Sequence, residues 1–335
     1  MSVFKNKNVS EMIENDKRRT ILLIITIICG ILAFLSVLKI PQKGYAKIRS
    51  LMKKEVVVYE EKIDIDGLDE PFTIFFVADS HICLCDDRDK ESKEICDKRY
   101  QEFIRDSKGS EKNFSIVMDY VRKEDPDLVV FGGDITDEAT CASIDYFKKE
   151  ADKLSCPYYL LMGNHDLLIN GEFASADEYE EIRKRYDFVR SDRSAYNIER
   201  FDHFNLLLLD DCNNQVCNEV GEAIADLEKD GKPVIIAQHV PFVPTYGDSD
   251  LLLRTNDVWG SAYLDYSRVL MGEHANLPNE ATSKLIDFVS KEDGLTDLIM
   301  AGHIHFYHRD FMSPKTVQTV TPPAFERGVI KITLY

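Results

Sequence analysis

The stretch Tyr158-Tyr159-Leu160-Leu161-Met162-Gly163-Asn164-His165-Asp166 is an apolar run that breaks into a glycine and three polar side chains. The run reads as a buried strand. The glycine lets the backbone turn tightly, so an Asn, a His and an Asp arrive together at the strand's carboxyl end. Asn offers a neutral oxygen to a metal, His can ligate or move a proton, and Asp can orient a His. Four residues alone also fit a polar turn that closes a strand. What decides between the two is whether the rest of the chain delivers partners to the same place.

It does so four more times. Residues 72–78 run into Asp79-Ser80-His81, whose period of two puts both potential ligands on one side of an extended chain. Residues 128–131 run into Gly132-Gly133-Asp134, residues 234–237 into Gln238-His239, and residues 298–301 into Gly302-His303-Ile304-His305. Helical stripes lie between them. One is Phe114, Val117, Met118 and Val121, with Asn113 as a fair N-cap; another is Ile144, Phe147, Ala151 and Leu154. Ala223, Ile224 and Leu227 mark a third, and Leu285, Ile286 and Val289 a fourth, with Thr282 as a possible cap. Segment 172–193 reads as partly helical, segments 56–59 and 63–65 as edge strands, and 196–201 with 204–209 as a hairpin across Asp202-His203.

In an open α/β sheet, ligands bind at the carboxyl edge. Asp79, His81, Asp134, Asn164, His165, Asp166, His239, His303 and His305 should therefore converge within one α/β domain over residues 55–335, although 335 residues alone would suggest two domains. The oxygen and nitrogen donors of Asp79, His81, Asp134, Asn164, His239, His303 and His305 suit two divalent metal ions (Mn, Fe or Zn).

A formal net charge of −18 repels polyanions, so no nucleic-acid polymer is expected as a partner. Ahead of the domain, residues 21–38 carry no charge and are long enough to span a bilayer core, which predicts one transmembrane helix after a short tail, residues 1–20. A cleaved signal peptide is the alternative, but no small-x-small site stands near the end of the run. Residues 39–54 form a basic tether, which could lie on anionic lipid or act as a simple spacer. Lys and Arg counts on the two sides nearly tie. Lys17-Arg18-Arg19 abuts the apolar run, so the reading is a single-pass cell-membrane protein with the domain over residues 55–335 extracytoplasmic. Cys212 and Cys217 are close enough for a small disulfide loop. Cys83, Cys85 and Cys96 flank a charged insertion from Asp86 that a bridge could pin, a reading favoured over metal binding at Cys83-x-Cys85.

The order Asp79-Ser80-His81, Gly133-Asp134, Gly163-Asn164-His165-Asp166, His239 and Gly302-His303-Ile304-His305 resembles the calcineurin-like metallophosphoesterase superfamily. The resemblance implies a four-layer α/β/β/α sandwich of two mixed sheets around a dinuclear metal centre. Carried over by position, Asp79, His81 and His305 hold one metal, Asn164, His239 and His303 hold the other, and Asp134 bridges them. A metal-bridging hydroxide then attacks phosphorus in line, His165 stands over the leaving group, and Asp166 orients His165.

Asp134-Ile135-Thr136-Asp137-Glu138 lacks the Asp-Arg-Gly of the family's phosphoprotein phosphatases, and Asp166 stands where they carry Glu. The tyrosine ligand of purple acid phosphatases is absent. Val240 follows His239 where many phosphodiesterases have a second His. What remains resembles the bacterial phosphodiesterase-like group, some of it membrane-anchored, which implies a phosphodiester or pyrophosphate substrate, as a small molecule or lipid-linked. The insertion 244–279, with Tyr246, Arg254, Trp259, Tyr263, Tyr266 and Arg268, would either cap the substrate or pack on the core. The alternative to an enzyme is a membrane-tethered scaffold on a silent fold; the intact ligand set favours the enzyme. A third reading, redox gating, rests on Cys83 and Cys85 beside His81.

Overall fold

In a strand, alternate side chains face opposite ways, and the run after Pro71 is apolar on both. A computed structural model describes residues 56–189, 195–211, 214–259, 269–272 and 277–335. Its strands and helices, in chain order, are β1 (Val57–Ile63), β2 (Phe72–Val77), α1 (Lys93–Glu102), α2 (Ser110–Glu124), β3 (Leu128–Gly132), α3 (Cys141–Ala151), β4 (Tyr158–Leu161), β5 (Leu168–Ile169), β6 (Glu172–Phe173) and α4 (Ala176–Arg185). There follow β7 (Tyr196–Arg200), β8 (Asn205–Leu209), α5 (Val220–Asp230), β9 (Val234–Ala237), α6 (Leu251–Trp259), α7 (Glu280–Val289), β10 (Thr296–Ala301), β11 (His308–Phe311), β12 (Val317–Val320) and β13 (Gly328–Leu334).

The strands form two mixed sheets, ordered β1-β13-β2-β3-β4 and β11-β12-β10-β9-β8-β7, with β5 and β6 as a separate small hairpin. In the first sheet β2, β3 and β4 run parallel, while β13 pairs antiparallel with β2 and parallel with β1. In the second, β8, β9, β10 and β12 are parallel and both edges, β7 and β11, are antiparallel.

Alternation along the strands explains the layering. Phe75, Val77, Val129 and Phe131 pack with Phe114, Val117, Met118 and Val121 of α2 and with Ile144 and Phe147 of α3. Their neighbours Ile74, Phe76, Leu128 and Val130 face the other way, onto Leu206, Leu208, Ile235, Leu298 and Met300 of the second sheet. The opposite face of that sheet, through Leu207, Ile236 and Ile299, packs on Ala223 and Leu227 of α5 and Leu285, Phe288 and Val289 of α7. Strands buried on both faces must be apolar throughout, which is why the central runs show no polar alternation.

Local details differ from the sequence reading at several points. One edge strand, β1, runs unbroken from Val57 to Ile63, so Ile63 continues the first segment, and Asp64 and Ile65 lie beyond its end. Helix α2 starts at Ser110 after Gly109, not at Asn113; buried Asn113 instead donates to the Phe325 carbonyl and accepts from Arg327. Asn279, not Thr282, caps α7, accepting from the Thr282 amide at 2.7 Å. Cys85 and Cys96 form a disulfide, so Cys83-x-Cys85 is not a metal pair; Cys212 lies outside the described residues. Residues 21–38 and the 39–54 tether also lie outside them. Among the described residues no helix is long and apolar enough to cross a membrane.

Candidate metal centre

Each of the five predicted strands delivers its polar residues to one place. β2, β3 and β4 of the first sheet and β9 and β10 of the second end at the same edge of the sandwich. The loops beyond them are held in backbone conformations that side chains seldom adopt. Asp79 (φ 54°), His81 (44°), Asp134 (50°), His303 (71°) and His305 (59°) all lie in the left-handed region. Each such residue costs on the order of 1–3 kcal/mol unless its surroundings hold it. Here they do. The Asp79 amide donates to the Gly133 carbonyl, the His81 amide to the Asp134 carbonyl, and the His303 amide to both oxygens of Asp79, each at 3.0 Å. Gly163 has no room for a side chain, since a Cβ there would collide with the Asp134 carboxylate and amide.

The donor atoms converge in pairs. His81 Nε2 lies 3.0 Å from His305 Nε2, and His305 Nε2 lies 3.4 Å from Asp79 Oδ1. His239 Nε2 lies 3.1 Å from His303 Nδ1 and 3.3 Å from Asp134 Oδ2, an oxygen that is 3.8 Å from His81 Nε2. Asp79, His81, Asp134 and His305 thus form one group with its ligand atoms within 4.8 Å of one another, and Asp134, His239 and His303 form a second. Asp134 belongs to both. Asn164 Oδ1 is buried without a hydrogen-bond partner.

This donor set fits metal ions better than it fits itself. Nitrogen atoms about 3 Å apart match neighbouring ligands on an ion with bonds of roughly 2.0–2.1 Å. His239 Nδ1 faces the Gly132 carbonyl at 2.8 Å, so that nitrogen donates outward and Nε2 is the one turned to the site. His81 is set the same way: Nδ1 lies 3.0 Å from Asp137 Oδ1 and Nε2 points inward. An orphaned buried amide oxygen costs about 1–3 kcal/mol unless a donor or a cation meets its lone pair.

The charges follow from the same contacts. Burial opposes the charge on His165, yet Asp134 and Asp137 outweigh it and raise its pKa to about 9. Burial likewise opposes charge on His239, and Asp134 above all raises it to about 10. His303 goes the other way, pushed down to about 3 by burial and by the neighbouring His239. Burial also disfavours the charged form of Asp134, but the surrounding His239, His165 and His81 hold its carboxyl well below the usual carboxylate range.

Three residues that the sequence does not single out complete the site. Asp137 Oδ1 lies 3.0 Å from His165 Nδ1 as well as from His81 Nδ1, and Arg99 of α1 clamps the same carboxylate from outside at 2.8 Å through both Nε and Nη2. Removing one partner of so buried an ion pair typically costs about 3–5 kcal/mol. Asp211 accepts from the His239 and Val240 amides, and burial raises its pKa to about 7.

Asp166 does not steady His165. Its carboxylate accepts from the Thr136 amide and hydroxyl and from the Gly163 amide, tying the loop after β4 to the loop after β3. Adjacency in sequence does not pair the two: Asp166 is taken up by Thr136 and Gly163, while His165 turns Nδ1 to Asp137 and is held by its own amide on Asp134 Oδ1 at 2.7 Å.

Aromatic rings wall the centre. Phe103 stacks face-on against His81 with centroids 4.5 Å apart, and Phe325 meets His81 and His305 edge-on. Of the insertion 244–279, Trp259 reaches His305 edge-on at 5.1 Å and donates to the Ile304 carbonyl, and Arg254 bonds His308 and covers Phe306. Tyr246 is exposed, and Tyr263, Tyr266 and Arg268 lie outside the described residues.

The family model described as calcineurin-like phosphoesterase matches residues 72–307, which contain every residue of this centre except Phe325. A probable glycerophosphodiester phosphodiesterase GpdQ of Arcobacter nitrofigilis is 44% identical over 61 residues, which is 18% of this chain and 22% of that protein's length. Among solved structures, a dimetal phosphatase from Danio rerio aligns with a TM-score of 0.45 at 15% identity, over 77% of this chain and 89% of that one. A purple acid phosphatase from yellow lupin (Lupinus luteus) seeds aligns with a TM-score of 0.46 at 15% identity, over 78% of this chain and 45% of that one. The chain spans about a fifth of the Arcobacter relative's length, and by the family model it belongs to the calcineurin-like phosphoesterase family.

Proposed function

We propose that this chain hydrolyses small phosphodiesters or pyrophosphates at a centre of two divalent ions. Asp79, His81 and His305 hold one ion, Asn164, His239 and His303 hold the other, and Asp134 serves both. The observation that carries this reading is the pairing of imidazole nitrogens at 3.0 and 3.1 Å around one shared carboxylate. The orphaned oxygen of Asn164 supports the second set. Ions bound there polarise phosphoryl oxygens and make water nucleophilic at neutral pH.

The remaining chemistry falls to the side chains. His165 turns Nδ1 to Asp137, which leaves Nε2 to give a proton to the departing oxygen. Asp137 keeps that imidazole oriented and protonated, and Asp166 holds the loop on which His165 sits. Phe103, Phe325 and Trp259 keep water off the His81 and His305 side. The absence of the Asp-Arg-Gly sequence favours small substrates over phosphoproteins, and the name of the Arcobacter relative points towards diesters. The Cys85–Cys96 bridge agrees with an oxidising compartment, hence with an exported domain anchored through residues 21–38.

The test is an assay of the purified full-length chain with Mn²⁺ on bis-aryl and mono-aryl phosphates, before and after chelation. Hydrolysis should require metal and be faster on the diester. Hydrolysis that survives thorough chelation, or none of either ester, would count against the reading.

A further inference from the structure

Helix α1 contributes Arg99 to the centre but has little of its own to hold it there. It is ten residues long, and its one buried residue is Cys96. A helix that short is marginal in isolation, so its place depends on what fastens it. Two fastenings stand out, one at each end of a single turn. Cys96 is bridged to Cys85, which closes an 11-residue separation back to the loop after β2. Three residues on, along the same side of the helix, Arg99 grips Asp137 with Nε on one carboxylate oxygen and Nη2 on the other. Its third nitrogen, Nη1, is taken up by Glu102 at 2.8 Å.

Asp137 Oδ1 faces three donors: Arg99, His81 and His165. A carboxylate turned by two imidazoles alone can rotate to favour one of them. A guanidinium fork fixes its plane, which a point charge cannot do. We propose that Arg99 is a positioning residue for His165, acting through Asp137, and that the Cys85–Cys96 bridge holds it there, so that a dithiol reductant slows turnover. The proposal rests on the leaving-group role given to His165 above.

The redox step balances simply. A thiolate of the dithiol attacks Sγ of Cys85, the less buried sulfur, and the S–S bond breaks with Cys96 leaving as a thiolate that takes a proton. The second thiol of the reagent then displaces Cys85, and the reagent ends as a disulfide. Cys83 does not compete. It is buried and its thiol donates to the Cys96 carbonyl.

The experiment uses the full-length chain and a series of phosphodiesters that differ in leaving-group acidity. Arg99→Ala should lower kcat about 10- to 100-fold on poor leaving groups and much less on 4-nitrophenolate, with KM and bound metal little changed. Added guanidinium should restore part of the loss. Arg99→Lys, which keeps the stem and charge, should fall between, and Arg88→Ala on the same insertion should match wild type. Dithiothreitol should produce the same leaving-group signature in wild type and no further change in Cys85→Ser/Cys96→Ser. A uniform loss across the series, or none, in an active wild-type background would overturn the role of Arg99. Full activity after verified reduction would overturn the role of the bridge. Wild type inactive on every ester would instead overturn the functional reading beneath both.

Discussion

Replacing Asp134 by Asn is expected to lower turnover of a bis-aryl phosphate by about 1000-fold, equivalent to roughly 4 kcal/mol of lost transition-state stabilisation. Asp134 is shared by the group of Asp79, His81 and His305 and the group of His239 and His303. Its Oδ2 faces His239 and His81, while Oδ1 accepts the His165 amide. Asn keeps the shape and one oxygen, so it passes the tight approach of Gly163 and can still receive that amide. What it removes is the charge that offsets a cluster of imidazoles and that two cations would share. The chain should therefore fold and fail to turn over. Steady-state kinetics beside a thermal melt separates these outcomes: activity within a few-fold of wild type would show that the shared carboxylate is not needed.

His165→Ala carries the second large effect, a fall in kcat of about 100- to 10 000-fold on alkyl leaving groups. The reason is geometric. His165 hangs from Asp134 by its backbone and turns Nδ1 to Asp137, so its removal costs a proton donor and leaves the paired donors at His81, His305, His239 and His303 in place. Bound metal should stay as in wild type, and the loss should shrink as the leaving group becomes more acidic. Asp137→Asn should reproduce part of it, whereas the inference from sequence would have assigned that effect to Asp166. A variant that loses metal along with activity would place His165 among the ligands instead.

The central strands were legible because each is a short run buried on both faces, followed at once by polar residues. No local competition obscured them. The strands after His305 were not read. β11, β12 and β13 carry Arg309, Asp310, Gln318, Thr319, Lys331 and Thr333, which interrupt any apolar run. Gln318 and Thr319 are buried nonetheless, Gln318 because its amide bonds both the amide and the carbonyl of Phe242. Nor does local pattern show that β13, at the end of the chain, inserts between β1 and β2.

The candidate ligands emerged for the same reason as the strands, since each stands directly at a strand end. Their supports did not. Asp137 lies three residues past Asp134 and stands out only in the motif comparison, while Arg99 sits in the charged insertion that begins at Asp86. The fold brings the two together across a sequence separation of 38 residues. Adjacency favoured Asp166 as the partner of His165, and backbone direction overruled it. A sequence shows which residues stand at the mouth of the site more readily than which ones brace them.

The most direct test is the metal content of the purified full-length chain after loading with Mn²⁺ and removal of excess, with Asp134→Asn measured alongside. The expected result is about two ions per wild-type chain, falling in the variant. A folded wild-type chain that retains no metal, or one ion per chain that Asp134→Asn leaves unchanged, would contradict a centre built around a shared carboxylate.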